Sequence, residues 1–149
     1  MSLEQKIAQD LKAAMKAKDE AAKRSLRAIK SAILLAKTDG SGQEITEAIE
    51  IKMLTKMAKQ RKESIKIFLD QGREDLAKIE QEELAVIDGY LPAQLSEADI
   101  ETQVKAIIEQ LGASSMRDMG KVMGAATKKF AGAADGKIVS GIVKKLLNS

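Results

Sequence analysis

Apolar residues recur along this chain at alternating intervals of three and four, the period of helices that bury one face. Ser2 and Gln5 form a capping-box pattern ahead of Ile7, Leu11 and Met15, which mark a first helix. Asp19 caps a second, where Ala22, Leu26, Ile29, Ile33 and Ala36 line one seam until Asp39-Gly40-Ser41-Gly42 ends it. Thr46 opens a long third helix through Leu54, Met57, Ile65 and Phe68, closed by Gly72 in a left-handed turn. Ala77, Leu84, Ile87 and Leu91 give the inner side of a fourth, and Glu80, Glu82, Glu83 and Asp88 read as its solvated acidic surface.

Pro92 is the only proline. Proline disfavours the helical conformation at Leu91, and Ser96 with Asp99 offers a new helix start, so a domain boundary is predicted between 1–92 and 93–149. Beyond it, Ile100, Val104, Ile107, Ile108 and Leu111 form a stripe closed by Gly112. Ser115 with Asp118 opens a helix holding Met119, Val122, Met123, Ala126 and Phe130, and the last helix carries Ile138, Ile142, Val143 and Leu146. The alternation expected of strands is missing. The fold class predicted is all-α, an N-terminal four-helix bundle followed by a C-terminal three-helix bundle.

Composition removes most familiar active sites. The 149 residues include no Cys and no His, which excludes disulfides, thiolate nucleophiles and the commonest proton shuttle and transition-metal ligand. No metal and no cofactor are expected. No basic and apolar leader pattern opens the chain, and no apolar run approaches the roughly 18 residues of a membrane span, so a cytoplasmic protein without membrane contact is expected. Net charge is only +3, but it is unevenly distributed. Residues 23–66 carry 11 Lys/Arg against 5 Asp/Glu, residues 67–90 carry 2 against 7, and residues 117–149 carry 7 against 2. The two basic stretches raise the question of a polyanionic partner.

Candidate chemistry is sparse. Gly120-Lys121 and Gly136-Lys137 lack the earlier glycine and the following hydroxyl of a phosphate loop: Ser115 and Ala131, then Val122 and Ile138, stand there instead. Without His a serine nucleophile would need a lysine base at a recognisable spacing, whereas capping accounts for Ser2, Ser96 and Ser115. No catalytic residue is assigned. Gly120 and Gly124 lie inside a predicted helix, where each costs about 1 kcal/mol relative to alanine. They permit close approach, by internal packing more readily than by a ligand on the local pattern alone. Gly136 follows Asp135 at a helix start whose N–H groups can receive a phosphate. Lys121, Lys128, Lys129, Lys137, Lys144 and Lys145 crowd the same region and are candidate RNA-backbone contacts, alongside the reading that they only solubilise the surface. Only Phe68, Tyr90 and Phe130 are aromatic, so RNA would be read by shape and backbone rather than by base stacking. Lys23, Arg24, Arg27, Lys30, Lys59, Arg61, Lys62 and Lys66 add a basic set near the N-terminus, for which ion pairing with the acidic fourth helix competes.

Gly120-Lys121-Val122-Met123-Gly124 and Lys129-Phe130-Ala131-Gly132-Ala133-Ala134-Asp135-Gly136-Lys137-Ile138-Val139-Ser140 resemble the GatB/YqeY family. So do Lys59-Gln60-Arg61-Lys62-Glu63-Ser64, Gly72-Arg73-Glu74-Asp75-Leu76-Ala77 and Tyr90-Leu91-Pro92-Ala93-Gln94-Leu95-Ser96, so the likeness covers essentially the whole chain. It implies a stand-alone YqeY-like protein similar to the tail of the B subunit of the aspartyl/glutamyl-tRNA amidotransferase. The four-plus-three helical fold is also what the family leads one to expect. That tail helps hold tRNA, whereas the subunit's catalytic cradle has no counterpart here. A carbon-nitrogen ligase label would therefore come from the shared domain rather than from an active site.

The function expected is a tRNA-binding accessory protein, a monomer whose last two helices bring their lysines to one platform, with Gly120, Gly124, Gly132 and Gly136 permitting approach. The rival reading is a protein-interaction module that docks a translation enzyme or an amidotransferase subunit. An enzymatic reading needs a Lys/Asp site the sequence does not show, or one borrowed from a partner.

Overall fold

The computed structural model describes residues 1–42 and 44–148. Among these it holds seven α-helices and no strand: α1 (Leu3–Ala17), α2 (Glu20–Lys37), α3 (Glu47–Asp70), α4 (Glu74–Asp88), α5 (Glu97–Leu111), α6 (Met119–Lys129) and α7 (Gly136–Leu147). Local signals set most of the ends. Ser2 Oγ accepts the Gln5 N–H at 3.2 Å while Gln5 Oε1 accepts the Ser2 N–H at 3.0 Å, closing the capping box of α1. Asp19, Thr46 and Ser96 cap α2, α3 and α5 by accepting the N–H three residues on. Gly72 and Gly112 take the left-handed conformation, at φ +70° and +65°, just past α3 and α5. Ser115 behaves differently from its sequence reading: it caps a 3-10 turn, Met116–Asp118, and α6 begins only after it.

The helices form two compact units, Met1–Leu91 and Pro92–Ser149. In the first, α3 packs along α4, α1 along α2, and α2 also on α4. Ile7, Leu26, Ile29, Ile33, Leu54, Met57 and Ile87 form its core. Burying side chains of this size stabilises a fold by about 1.5–3 kcal/mol each. In the second, α5, α6 and α7 each touch the other two around Ile100, Val104, Val122, Ala126, Phe130, Val139 and Val143.

The buried faces are rotated from the predicted ones at two places. Ala14 is buried and Met15 is 54% exposed on α1. On α7 the inner face runs through Val139, Val143 and Leu147, at i, i+4 and i+8, leaving Ile138 39% exposed. A run as apolar as Ile138-Val139 leaves the phase of the stripe open, and packing against α5 and α6 decides it.

Candidate nucleic-acid interface

The candidate surface is built on the α6–α7 hairpin, whose connection is held from three directions. Phe130 is buried at 3% exposure and donates its N–H to Ala126 O at 2.9 Å, so the end of α6 is anchored in the core. Gly132 then turns the chain at φ +76°, a conformation that favours glycine. Ala133 N–H returns to Phe130 O at 2.7 Å. From the start of this unit, Leu95 N–H donates to Ala133 O at 2.8 Å, and Gln94 Nε2 donates to Gly132 O at 2.7 Å and to Pro92 O at 3.1 Å. The segment that precedes α5 is thus laced to the α6–α7 connection. Gln94 was invisible as a site residue in the sequence, because its partner lies 38 positions away.

All six candidate lysines are exposed. Among the described residues none of them makes a salt bridge, and the one salt bridge of this unit is Lys105–Glu101 on α5. Lys121 and Lys128 are seven residues apart on α6, and Lys137 and Lys144 repeat that spacing on α7, so each helix carries two lysines on one outward row. Lys129 and Lys145 lie one position on, rotated away from those rows. Lys128, Lys129, Lys144 and Lys145 occupy the last turns of their helices, where a cation is favoured by the helix dipole. Lys121 and Lys137 occupy the first turns, where the helix dipole disfavours a cation; these turns hold no acidic residue of their own, although Asp118 and Asp135 stand just before the two helices. The dipole favours the first four and gives no reason for the last two.

The glycines prove to be open rather than packed. A Cβ built on Gly120 or Gly124 would meet nothing within 4 Å, and both residues are exposed. Internal close packing, the favoured sequence reading, is therefore not their reason. The same holds for Gly141, in the interior of α7 between Lys137 and Lys144, which the sequence reading passed over. Its signal was the one used for Gly124, a glycine inside a helix. Gly136 is likewise open, but the start of α7 is already closed: Asp135 Oδ1 accepts the Lys137 N–H at 2.9 Å. A carboxylate in that position repels phosphate, so this helix start is not the anion seat that its sequence suggests.

The N-terminal basic set divides by pairing. Glu83 is buried, not solvated as its sequence context suggested: Arg24 Nε reaches Oε1 at 3.0 Å and Arg61 Nε reaches Oε2 at 2.9 Å. Arg24 also binds Glu82 at 3.2 Å, and Arg61 lies 3.6 Å from Glu80. These two arginines tie α2 and α3 to α4. Lys23 pairs with Glu20, and Lys37 with Glu4. Arg27, Lys30, Lys59, Lys62 and Lys66 have no acidic partner among the described residues. No group of three or more Asp or Glu among the described residues is arranged to hold a metal ion.

Curated relatives share the name "Altered inheritance of mitochondria protein 41, mitochondrial". The Vanderwaltozyma polyspora protein is 34% identical over 149 residues, covering 95% of this chain and 80% of its own length. The Lachancea thermotolerans protein is 36% identical over 112 residues, or 73% of this chain and 59% of that one. A Saccharomyces cerevisiae protein is 40% identical over 105 residues, or 68% and 56%. The chain thus spans less than two thirds of the Lachancea and Saccharomyces relatives. Their names correct the cytoplasmic expectation: they point to mitochondria instead. Apolar segments distinguish a membrane or secretory route but not one aqueous compartment from another. No helix among the described residues is long and apolar enough to cross a membrane. The family model described as Yqey-like protein matches residues 4–147, and this chain belongs to that family.

Proposed function

We propose that this protein is a tRNA-binding accessory protein without an active site of its own, gripping the sugar-phosphate backbone with the outer face of α6 and α7. On this reading a four-helix bundle over 1–92 precedes a three-helix tail over 93–149, and the tail makes the contact. One observation carries it: Lys121 and Lys137 are exposed and make no salt bridge among the described residues, beside helical glycines that fill no gap. The glycines cost folding stability, and both features suit a surface that a phosphate backbone approaches closely. Lys128 and Lys144 extend the two rows, while Lys129 and Lys145 border them. Exposed lysines and bare backbone, with no stacking ring among them, suit recognition of charge and shape.

The test separates folding from binding. Lys121→Glu with Lys137→Glu places acids where the helix dipole favours them, offset by Asp118 and Asp135 just before each helix, so the double variant is expected to melt near the wild-type temperature. Its affinity for unfractionated tRNA, read by fluorescence anisotropy, is expected to fall tenfold or more. Unchanged affinity would refute the proposal. The rival reading, docking of a translation enzyme or amidotransferase subunit, draws on Leu111, Met116 and Ile138, exposed by 47%, 38% and 39%. It is favoured if a protein partner is retained from nuclease-treated extract by wild type and double variant alike.

A further inference from the structure

The longest helix carries a row of charge that neither the fold nor the α6–α7 surface uses. Lys52, Lys56, Lys59, Lys62 and Lys66 are all exposed on α3, on the side opposite Leu54, Met57 and Ala58. At 100° per residue they fall within a sector of about 120°, and at 1.5 Å per residue the row runs for about 21 Å. Among the described residues none of the five makes a salt bridge. Arg61, on the inner side of the same helix, is bound by Glu83 and Glu80. The fold thus takes up the cation that faces α4 and leaves the outer five unmatched.

Their spacing works against the helix. Lys52 with Lys56, and Lys62 with Lys66, are like charges at i,i+4; Lys56 with Lys59, and Lys59 with Lys62, are like charges at i,i+3. Such pairs oppose helix formation, and a surface serving only solubility interleaves both signs. Between Lys52 and Lys66 Glu63 is the single carboxylate in the sector, Asp70 follows Lys66 one turn on, and Thr55 turns its hydroxyl to Ile51 O at 2.7 Å.

We infer that the outer face of α3 is a second polyanion-binding surface, which tracks the sugar-phosphate backbone of an RNA duplex. The row follows one side of a single helix, and it offers point charges at intervals of three or four residues. At 3.4 Å of axis per phosphate, the spacing known for duplex DNA, its length passes on the order of six phosphates of one strand. An anionic membrane fits less well, because the sector from Lys52 to Lys66 holds no apolar side chain to enter a bilayer; the exposed apolar residues of α3, Ile67 and Leu69, lie beyond the end of the row and outside the sector. A protein partner would want an aromatic or aliphatic anchor, and the sector has none. This surface stands independently of the α6–α7 proposal.

The test uses the full chain and a 20-base-pair RNA duplex of arbitrary sequence. Lys52→Gln, Lys56→Gln, Lys59→Gln and Lys66→Gln are combined; glutamine is as good a helix former as lysine, and helicity is checked by circular dichroism. Each phosphate contact contributes about 0.9 to the slope of log affinity against log salt, so the slope is expected to become shallower by about 3 to 4. A slope equal to that of wild type would overturn the inference. So would loss of binding to phosphatidylserine vesicles, in the same variant, with duplex binding intact. Lys121→Glu with Lys137→Glu is measured alongside. If only that pair weakens duplex binding, the α3 surface falls and the α6–α7 proposal stands; if only the α3 variant does, the reverse holds.

Discussion

Replacing Gly124 and Gly141 by alanine sets stability against binding in one experiment. Both glycines are interior to helices, both are exposed, and a Cβ at either would meet nothing within 4 Å. Alanine is favoured over glycine inside a helix by about 0.8–1.0 kcal/mol, so the double variant is expected to gain about 2 kcal/mol. For a chain of about 150 residues, 1 kcal/mol moves the melting midpoint by roughly 2–4 °C, which makes the expected rise about 4–8 °C. The added methyls stand on the face that the tRNA backbone is proposed to approach, so affinity should fall even as the fold tightens. A tenfold loss corresponds to about 1.4 kcal/mol of binding free energy. Calorimetry and tRNA anisotropy on the same preparation read both quantities. A variant that is more stable and binds as well as wild type would refute the argument that these gaps serve a partner. A less stable variant would show that the positions are not open.

Glu83→Gln leaves Arg24 and Arg61 facing a neutral amide, and a urea titration is expected to show a loss of about 2–3 kcal/mol. That lies below the roughly 3–5 kcal/mol of a fully buried pair because the Arg24 side chain is 41% exposed; a loss under about 0.5 kcal/mol would contradict the bridging role. Burial, reinforced by the hydrogen bond from Tyr90 Oη to the Asp10 carboxylate, holds the Tyr90 phenol above its ordinary pKa of 10. Above about pH 10 the unfolded chain loses that proton first, so stability falls as pH rises further. Tyr90→Phe removes this part of the alkaline slope, and equal slopes for both proteins between pH 9 and 11 would refute it.

What the sequence made legible is short-range. Ser2 with Gln5, Asp19, Thr46, Gly72, Ser96 and Gly112 mark helix ends because each cap is a contact across a few residues. The helical class followed from the three-and-four spacing of apolar residues. The fate of Glu83 did not, because its partners Arg24 and Arg61 lie 59 and 22 positions away and only packing brings them together. The phase of α7 was equally hidden, since Ile138 and Val139 are both apolar and only one faces the core. Of the candidate surface, the charges of Lys121 and Lys137 were visible. That neither makes a salt bridge, and that Gly124 and Gly141 face open space, required the fold. The compartment was not legible at all, because nothing in helix periodicity distinguishes a mitochondrial protein from a cytoplasmic one.

The central claim is that unpaired lysines on this protein neutralise phosphates of a folded RNA. A salt titration of its association with tRNA tests that most directly, because each phosphate engaged adds about 0.7–0.9 to the magnitude of the slope of log affinity against log salt. Four contacts from Lys121, Lys128, Lys137 and Lys144 predict a slope of about −3 to −4 or steeper. A slope near zero, or no association with tRNA at low salt, would contradict the account.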